Sequence, residues 1–557
     1  MEWWLALAAL ATLAIPLGVL YRPLGDYMAW VYTSERDWGP EKAIYRVIGV
    51  DPKVQQSWRA YFRAILAFSA VGLIMLYAMA RLQQFLPYAL GLGPMSPHLA
   101  FNTAASFVGN TNWQSYVPET TIGYAAQMLG LTVQSFASGA VGMAVAVALV
   151  RGIASRRGGV VGNFWVDLIR SCVRILLPMS ILAAVILIAG GIIQNFAGFT
   201  DITTVAGGAQ SLPGGPVASQ ESIKMLGTNG GGFFNANSAH PFESATPWTN
   251  LFESFLLVVI PFALPRTLGT MVKDQRMGYV VVAGMAAIFL MVFVSITASE
   301  LSAHGTALQL AGGAMEGKEQ RLGIAGSTIF ATATTGTTGG AANSMHSSYT
   351  AIGGMVMMLN MALGEVSPGG VGTGLYTMLV LVIISVFLTG LLLGRAPVFL
   401  GKRIGVREMV LCGLVVIVLP ALALGGLGIS LAIPAVHADI VDHALGNPGS
   451  HGLSELIYAF ISASINNGSS FAGLSADTPY LNTVLGGLIL LGRFIPIALI
   501  MALAGSFAEQ DRASTSAAEL PVYKPQFVLW LVFLVIFIAL PSFLPMMMAG
   551  PMAEALR

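Results

Sequence analysis

Charge is scarce in this sequence. Asp, Glu, Lys and Arg make up only 10% of the 557 residues, against 55% hydrophobic ones, whereas soluble domains carry about 25% charged residues. That scarcity excludes a water-soluble globular domain and indicates a chain that crosses a membrane many times. Cysteine is scarcer still. Cys172 and Cys412 both lie in or beside apolar segments, so no disulfide framework, zinc spacing or redox CxxC pair is available. Both read as small buried residues. A basic leader is missing too: Glu2-Trp3-Trp4, followed by apolar residues to Tyr21, reads as a retained transmembrane helix rather than a cleavable signal. Basic residues are absent from whole stretches. No Lys or Arg falls in 82–150 or 437–478, and 196–248 holds only Lys224. The net charge of +1 therefore reflects segregation and identifies no partner; nucleic acid is not expected to be one.

Against these absences stand long apolar runs near 3–21, 60–80, 121–150, 169–195, 249–272, 277–298, 346–394, 408–434, 479–507 and 526–549, each long enough to span a bilayer. The run 346–394 is too long for one straight span and is interrupted at Gly364–Gly374 by glycines and Pro368 that no continuous helix tolerates. Charge decides whether it crosses once or twice. Basic clusters follow the first run (Arg22, Arg36, Lys42, Arg46, Lys53, Arg59), the third (Arg151, Arg156, Arg157, Arg170) and the fifth (Arg266, Lys273, Arg276). Two more precede the eighth (Arg395, Lys402, Arg403, Arg407) and the last (Arg512, Lys524). Basic loops stay cytoplasmic, and all five clusters share one side only if 346–394 crosses once. The expectation is an all-α protein of ten crossings with both termini extracytoplasmic.

That topology puts four polar, glycine-bearing stretches in outward-facing loops: Gly109-Asn110-Thr111-Asn112, Thr228-Asn229-Gly230-Gly231-Gly232, Thr337-Thr338-Gly339-Gly340 and Ile465-Asn466-Asn467-Gly468. Each follows a segment too short to span, at Pro97–Val108, Pro216–Gly227, Gly323–Thr335 and Leu453–Ser464. Prolines suit the start of the first two, and Glu221 and Glu455 suit a first turn through the helix dipole. The unit is helix, half-buried loop, helix, recurring at spacings of about 107 to 130 residues, and divergent repeats of this kind can surround one pore. The expected division is 1–59 (first helix and cytoplasmic loop), 60–150, 151–272, 273–394 and 395–507 (four pseudo-symmetric membrane–pore–membrane repeats) and 508–557 (last helix). Taken singly, Asn-Gly and Gly-Gly are ordinary turn dipeptides. Four at matching positions read instead as one filter, whose carbonyls can replace the hydration shell of an ion. Few carboxylates lie there, which disfavours calcium or magnesium and favours a monovalent cation.

Longer motifs carry a resemblance. Asn110–Ser115, Lys224–Asn237, Met345–Ala351 and Asn466–Leu474 strongly resemble the potassium-transporting A subunit of the bacterial Kdp ATPase, over essentially the whole chain. The resemblance implies potassium as the ion. It further implies a partner P-type ATPase B subunit that hydrolyses ATP, C and small F subunits, and a place in the bacterial inner membrane among its lipids. Filter residues would be Asn110, Thr111, Asn112, Thr228, Asn229, Gly230, Thr337, Thr338, Gly339, Gly340, Ile465, Asn466, Asn467 and Gly468, with Gln114, Gly231 and Gly232 at the outer mouth. The interruption in the third repeat would be a gate beneath the filter, involving Gly369 and Gly370. The alternative is a stand-alone channel-like secondary potassium transporter.

Glu365 is an intramembrane carboxylate and so a functional candidate, or a buried acid paired with Arg395 or Arg493; Arg493 also suits the ion path. His346, without a second His or Cys nearby, reads as a hydrogen-bonded structural residue. Trp113 reads as a wedge between filter and pore helix. Gly312–Lys318 matches the first seven positions of a phosphate-binding loop but continues with Glu319 and follows no strand, so this chain is not expected to bind ATP. No Asp-Lys-Thr-Gly phosphorylation sequence occurs, and no acid–base or nucleophile cluster suggests a catalytic site. Gly230→Asp is expected to weaken potassium uptake far more than Lys318→Ala; equal transport at limiting potassium would overturn the filter assignment.

Overall fold

A computed structural model describes residues 2–156, 158–302, 315–511 and 522–556. Arg157, Arg512 and the first part of Gly312–Lys318 lie outside the described residues. Among the described residues ten helices are long and apolar enough to cross a membrane: Trp3–Thr33, Trp58–Phe85, Ala126–Ala154, Phe164–Ala189, Pro247–Val272, Gln275–Leu301, Thr373–Leu392, Val406–Ala432, Pro479–Glu509 and Pro525–Ala555. They are called the first to tenth spans below. Among the short helices between spans, four directly precede the polar glycine-bearing stretches, at Pro97–Val108, Val217–Leu226, Gly323–Gly336 and Gly449–Ile465. These are the first to fourth pore helices. The strands among the described residues form two small antiparallel hairpins, Thr200–Thr203 with Ala209–Leu212 and Val398–Phe399 with Lys402–Arg403.

Local chemistry accounts for several boundaries. The first pore helix starts where Ser96 accepts from the Leu99 amide and Pro97 occupies the first turn, a position where a missing N–H costs nothing. The interruption at 346–394 is a break: a short helix, Ala351–Ala362, precedes the seventh span. Between them Gly364, Glu365, Gly369 and Gly372 all take positive φ, which no helix accommodates.

Three expectations need correction. The first span does not end at Tyr21 but runs to Thr33 through Pro16 and Pro23. Its far end is held to the fifth span by the Asp26–Arg266 ion pair at 2.8 Å and by Thr267 Oγ1 donating to the Gly25 carbonyl at 2.9 Å. Those contacts let the helix carry charge past the apolar run. Glu221 and Glu455 do not sit in first turns either, because their pore helices begin at Val217 and Gly449. Glu455 instead pins the preceding loop, accepting from the Gly446 amide at 3.0 Å and Asn447 Nδ2 at 2.7 Å.

Packing is tightest around the pore helices. The third span is 83% buried over its most apolar stretch and the first only 17%, which separates a central helix from a peripheral one. Small residues allow this closeness, as in membrane helix pairs generally. A Cβ on Gly492 of the ninth span would collide with the Ser464 carbonyl of the fourth pore helix, whereas one on Gly487 meets nothing within 4 Å. Gly492→Val should therefore destabilise the protein by about 1–3 kcal/mol through overpacking. Gly487→Val in the same helix should not. Thermal unfolding in detergent compares the two, and equal midpoints would refute the packing account.

Candidate ion-selectivity site

Each pore helix ends in a polar strand, and the four strands meet. Asn110, Thr111, Asn112, Thr228, Asn229, Thr337, Thr338, Asn466 and Asn467 are all buried. Three strands turn away from their helices through left-handed residues, Asn110 (φ 68°), Thr228 (φ 48°) and Asn466 (φ 69°), which reorients the backbone just past each helix end. The third leaves in extended form at Thr337. Convergence is visible at the glycines. A Cβ on Gly230 would collide with the Thr111 carbonyl oxygen and lie 2.9 Å from Gly340 Cα; one on Gly340 would run into Gly468; one on Gly468 would strike Thr111 O. Thr111, Gly230, Gly340 and Gly468 therefore stand around one another, one from each strand. Ile465 closes the fourth pore helix just before its strand.

Two asparagines hold this arrangement. Asn110 Nδ2 donates to the carbonyls of Gly227 (3.2 Å) and Thr228 (3.1 Å) and to Thr338 Oγ1 (3.2 Å). Its Oδ1 accepts from Ser138 Oγ and Asn229 Nδ2. Asn467 Nδ2 lies within hydrogen-bond distance of the carbonyls of Thr334 (2.9 Å) and Thr337 (2.8 Å) and of Glu365 Oε1 (3.0 Å). Asn466 Nδ2 joins Thr111 Oγ1 and the Ile489 carbonyl. Thr334 Oγ1 donates to the carbonyls of Gly339 and Ala341, fastening the third strand to its own helix.

Beneath the strands lies the interruption of the third repeat. The Gly369 amide donates to the Gly336 carbonyl at 2.7 Å, and the Val371 amide to Thr228 Oγ1 at 3.0 Å. Gly370 abuts Thr338 so closely that a Cβ would collide with its hydroxyl. With Glu365 on Asn467, this loop is bonded to the second, third and fourth repeats at once. Arg493 is buried and donates from Nη2 to the Ser138 carbonyl at 3.0 Å, beside the loop but without a bond to Glu365. Arg395 corrects an expectation. It sits in the exposed turn after the seventh span, because Gly390 and Gly394 end that helix there, and it is no partner of Glu365.

On the opposite side of the strands, Gln114 brackets Gly232, accepting from its amide at 2.9 Å and donating to its carbonyl at 3.2 Å; Gly231 packs against Asn112 O and Gln114. Trp113 is buried, with Nε1 bonded to Ser115 Oγ. His346 Nδ1 meets Tyr458 Oη at 2.9 Å, and Tyr458 continues to Ser469. Lys318 is not an inert surface residue: it forms a buried ion pair with Glu300 at 2.8 Å, so Lys318→Ala is a poor control. Sequence reasoning also missed a buried group behind the second strand, Lys224 with Glu221, Glu243 and Glu253. Burial pushes the Glu243 carboxyl up to about 7 while Lys224 pulls it down. The signal was available, since Lys224 is the only Lys or Arg in 196–248. Among the described residues no cluster of His, Cys, Asp or Glu could hold a metal ion.

Fold and site together define a polytopic membrane protein in which four half-membrane helices deliver uncharged polar strands to one shared centre. A family model described as KdpA, Potassium-transporting ATPase A subunit, matches residues 10–556; the chain belongs to that family. It is 58% identical over 546 residues to a protein of Clavibacter michiganensis subsp. michiganensis, covering 98% of each chain, and 54% identical over 556 residues to one of Cutibacterium acnes, covering 100% of each. Both are called potassium-transporting ATPase potassium-binding subunit. The potassium transporter TrkH from Vibrio parahaemolyticus shares the fold at 14% identity, with a TM-score of 0.54 over 90% of this chain and 97% of that one.

The loop geometry generates a test. Thr228→Val keeps the side chain's shape but removes the hydroxyl that accepts from the Val371 amide, a contact worth about 1 kcal/mol. Amide exchange across 364–372 should quicken several-fold while 351–362 stays unchanged. Unaltered exchange would show that the loop is not held by this bond.

Proposed function

We propose that the chain binds potassium from the extracytoplasmic side in its four-stranded centre and passes it to a partner P-type ATPase subunit for ATP-driven import. The carrying observation is the convergence of Thr111, Gly230, Gly340 and Gly468 on strands whose own buried polar residues are amides and hydroxyls, the nearest carboxylate, Glu365, reaching Asn467 from the loop below. Carbonyl and hydroxyl oxygens without fixed charge suit a large monovalent ion better than a divalent one. The pore helices end at the strands, so their negative dipole ends face the same centre. Family membership and the names of the relatives support the ion and the pump. The filter residues, the outer-mouth role of Gln114, Gly231 and Gly232, and the gate role of Glu365, Gly369, Gly370 and Arg493 are parts of this reading.

The repeats then run over 60–150, 151–272, 273–394 and 395–507, flanked by the first helix with its loop (1–59) and the last helix (508–557). Both termini lie outside a bacterial cell membrane, as the basic loops require. The B, C and F subunits of the Kdp complex are the partners, and ATP binds elsewhere than on this chain. Cells whose potassium import depends on this chain test the reading. Gly230→Asp forces a carboxylate against Thr111 and should raise the half-saturating potassium concentration by about tenfold or more, with Val205→Ala in the exposed hairpin loop as control. Equal uptake by the two variants, or purification of the intact chain from native membranes without a P-type ATPase, would overturn it.

A further inference from the structure

All four strands are anchored close to their pore helices: Asn110 and Asn112 in the first, Thr228 and Asn229 in the second, Thr334 for the third, Asn466 and Asn467 in the fourth. The second differs beyond that point. After Asn229 it consists of Gly230-Gly231-Gly232, which offer no side chain and resist no backbone rotation. Something outside the strand must fix its course. Gln114 holds Gly232 from the mouth side. From behind, Glu243 Oε1 accepts from the Phe233 amide at 2.6 Å, and Oε2 from the Phe234 amide at 3.4 Å. These are the first two amides past the glycines. Glu243 also crowds Gly232, where a Cβ would lie 2.9 Å from Oε2.

Glu243 is itself held. Lys224 Nζ lies 3.4 Å from Glu243 Oε1 and 2.7 Å from Glu221 Oε2, and Glu221 Oε1 accepts from Ser238 Oγ at 3.1 Å. Lys224 stands on the pore helix four residues before Thr228. One ammonium thus links the helix that enters the strand to the carboxylate that receives its exit. Glu253, completely buried on the fifth span, adds the field of a third acid to that of Glu221, Glu243 and Lys224. Burying three acids around one base is expensive, and removing the base from such a site costs more than the pair is worth.

We propose that Lys224 and Glu243 are positioning residues for the second strand, fixing the path of its three glycines and so setting potassium affinity without touching the ion. This rests on the reading of the four strands as a potassium filter. Loss of Lys224 leaves the acids without a cation; they take up protons, Glu243 becomes a weaker acceptor, and the glycines gain freedom.

Uptake at graded external potassium, in cells that depend on this chain, tests both claims. Lys224→Met should raise the half-saturating potassium concentration by about tenfold while maximal uptake per folded protein changes less than about twofold. Lys224→Arg should restore most of the affinity. Glu243→Gln, nearly isosteric, should act in the same direction and carries the test if Lys224→Met does not accumulate. The discrimination of potassium from rubidium should narrow in both weakened variants. Unchanged affinity, or a fall in maximal uptake alone, overturns the positioning role. Gly230→Asp measured alongside separates the two claims: if it too leaves affinity unchanged, the filter reading itself fails.

Discussion

Main chain inside a membrane must have every N–H and C=O answered, because no water is there to do it. The site depends on how this chain meets that demand. Most of the protein meets it with helices. The four strands cannot, since a strand that presents carbonyls to a central axis has given up its helical bonds. Asparagine and threonine side chains supply the missing partners, within a repeat in the case of Thr334 and across repeats in the case of two asparagines. Asn110 of the first repeat bonds the end of the second pore helix, and Asn467 of the fourth bonds the end of the third. The repeats are therefore joined at their centre by short polar side chains, in addition to the apolar packing of the surrounding spans.

The same demand makes the repeats unequal. Each strand has a different set of neighbours to satisfy, so the strands diverge in residue type while keeping a common course. The second strand, with three glycines, lies against Thr111 and Gly340 and leans on a buried ionic group. The third is fastened by Thr334 of its own pore helix, which donates to two strand carbonyls, and by Thr337, which donates back to the Ala333 carbonyl. Among the described residues only the third repeat carries a broken returning helix, and its loop is bonded to the ends of the second, third and fourth pore helices or their strands. Its glycines are needed there because Gly369, Gly370 and Gly372 each abut backbone or side chains that leave no room for a Cβ.

Much of this architecture was legible from hydrophobic runs, charge segregation and punctuation. Pro97–Val108 was bounded correctly at both ends, since Ser96-Pro97 and Gly109 are local signals that do not depend on tertiary contacts. The break at Gly364–Gly374 was legible for the same reason. Glu221 and Glu455 were misread because dipole arguments know only position along a helix, whereas each acid is committed to a partner, Lys224 or the Gly446 loop. The first span was drawn too short because Arg22 and Asp26 look like loop residues until Arg266 is placed beside Asp26. Arg395 and Arg493 look alike in sequence, each an arginine bordering apolar residues. Folding buries one against Ser138 and leaves the other exposed. The side-chain bonds among strands were illegible altogether, as they join residues more than a hundred positions apart.

Asn467 carries a consequence of simple counting. Its amide nitrogen has two hydrogens and three acceptors within reach: two carbonyls at the end of the third pore helix and the carboxylate of the loop below. Two straight bonds cannot serve all three, so one hydrogen is shared between acceptors or one acceptor goes short. The joint between strand and loop is thus under-supplied with donors, and changing which acceptor goes short moves a hydrogen bond without repacking any side chain.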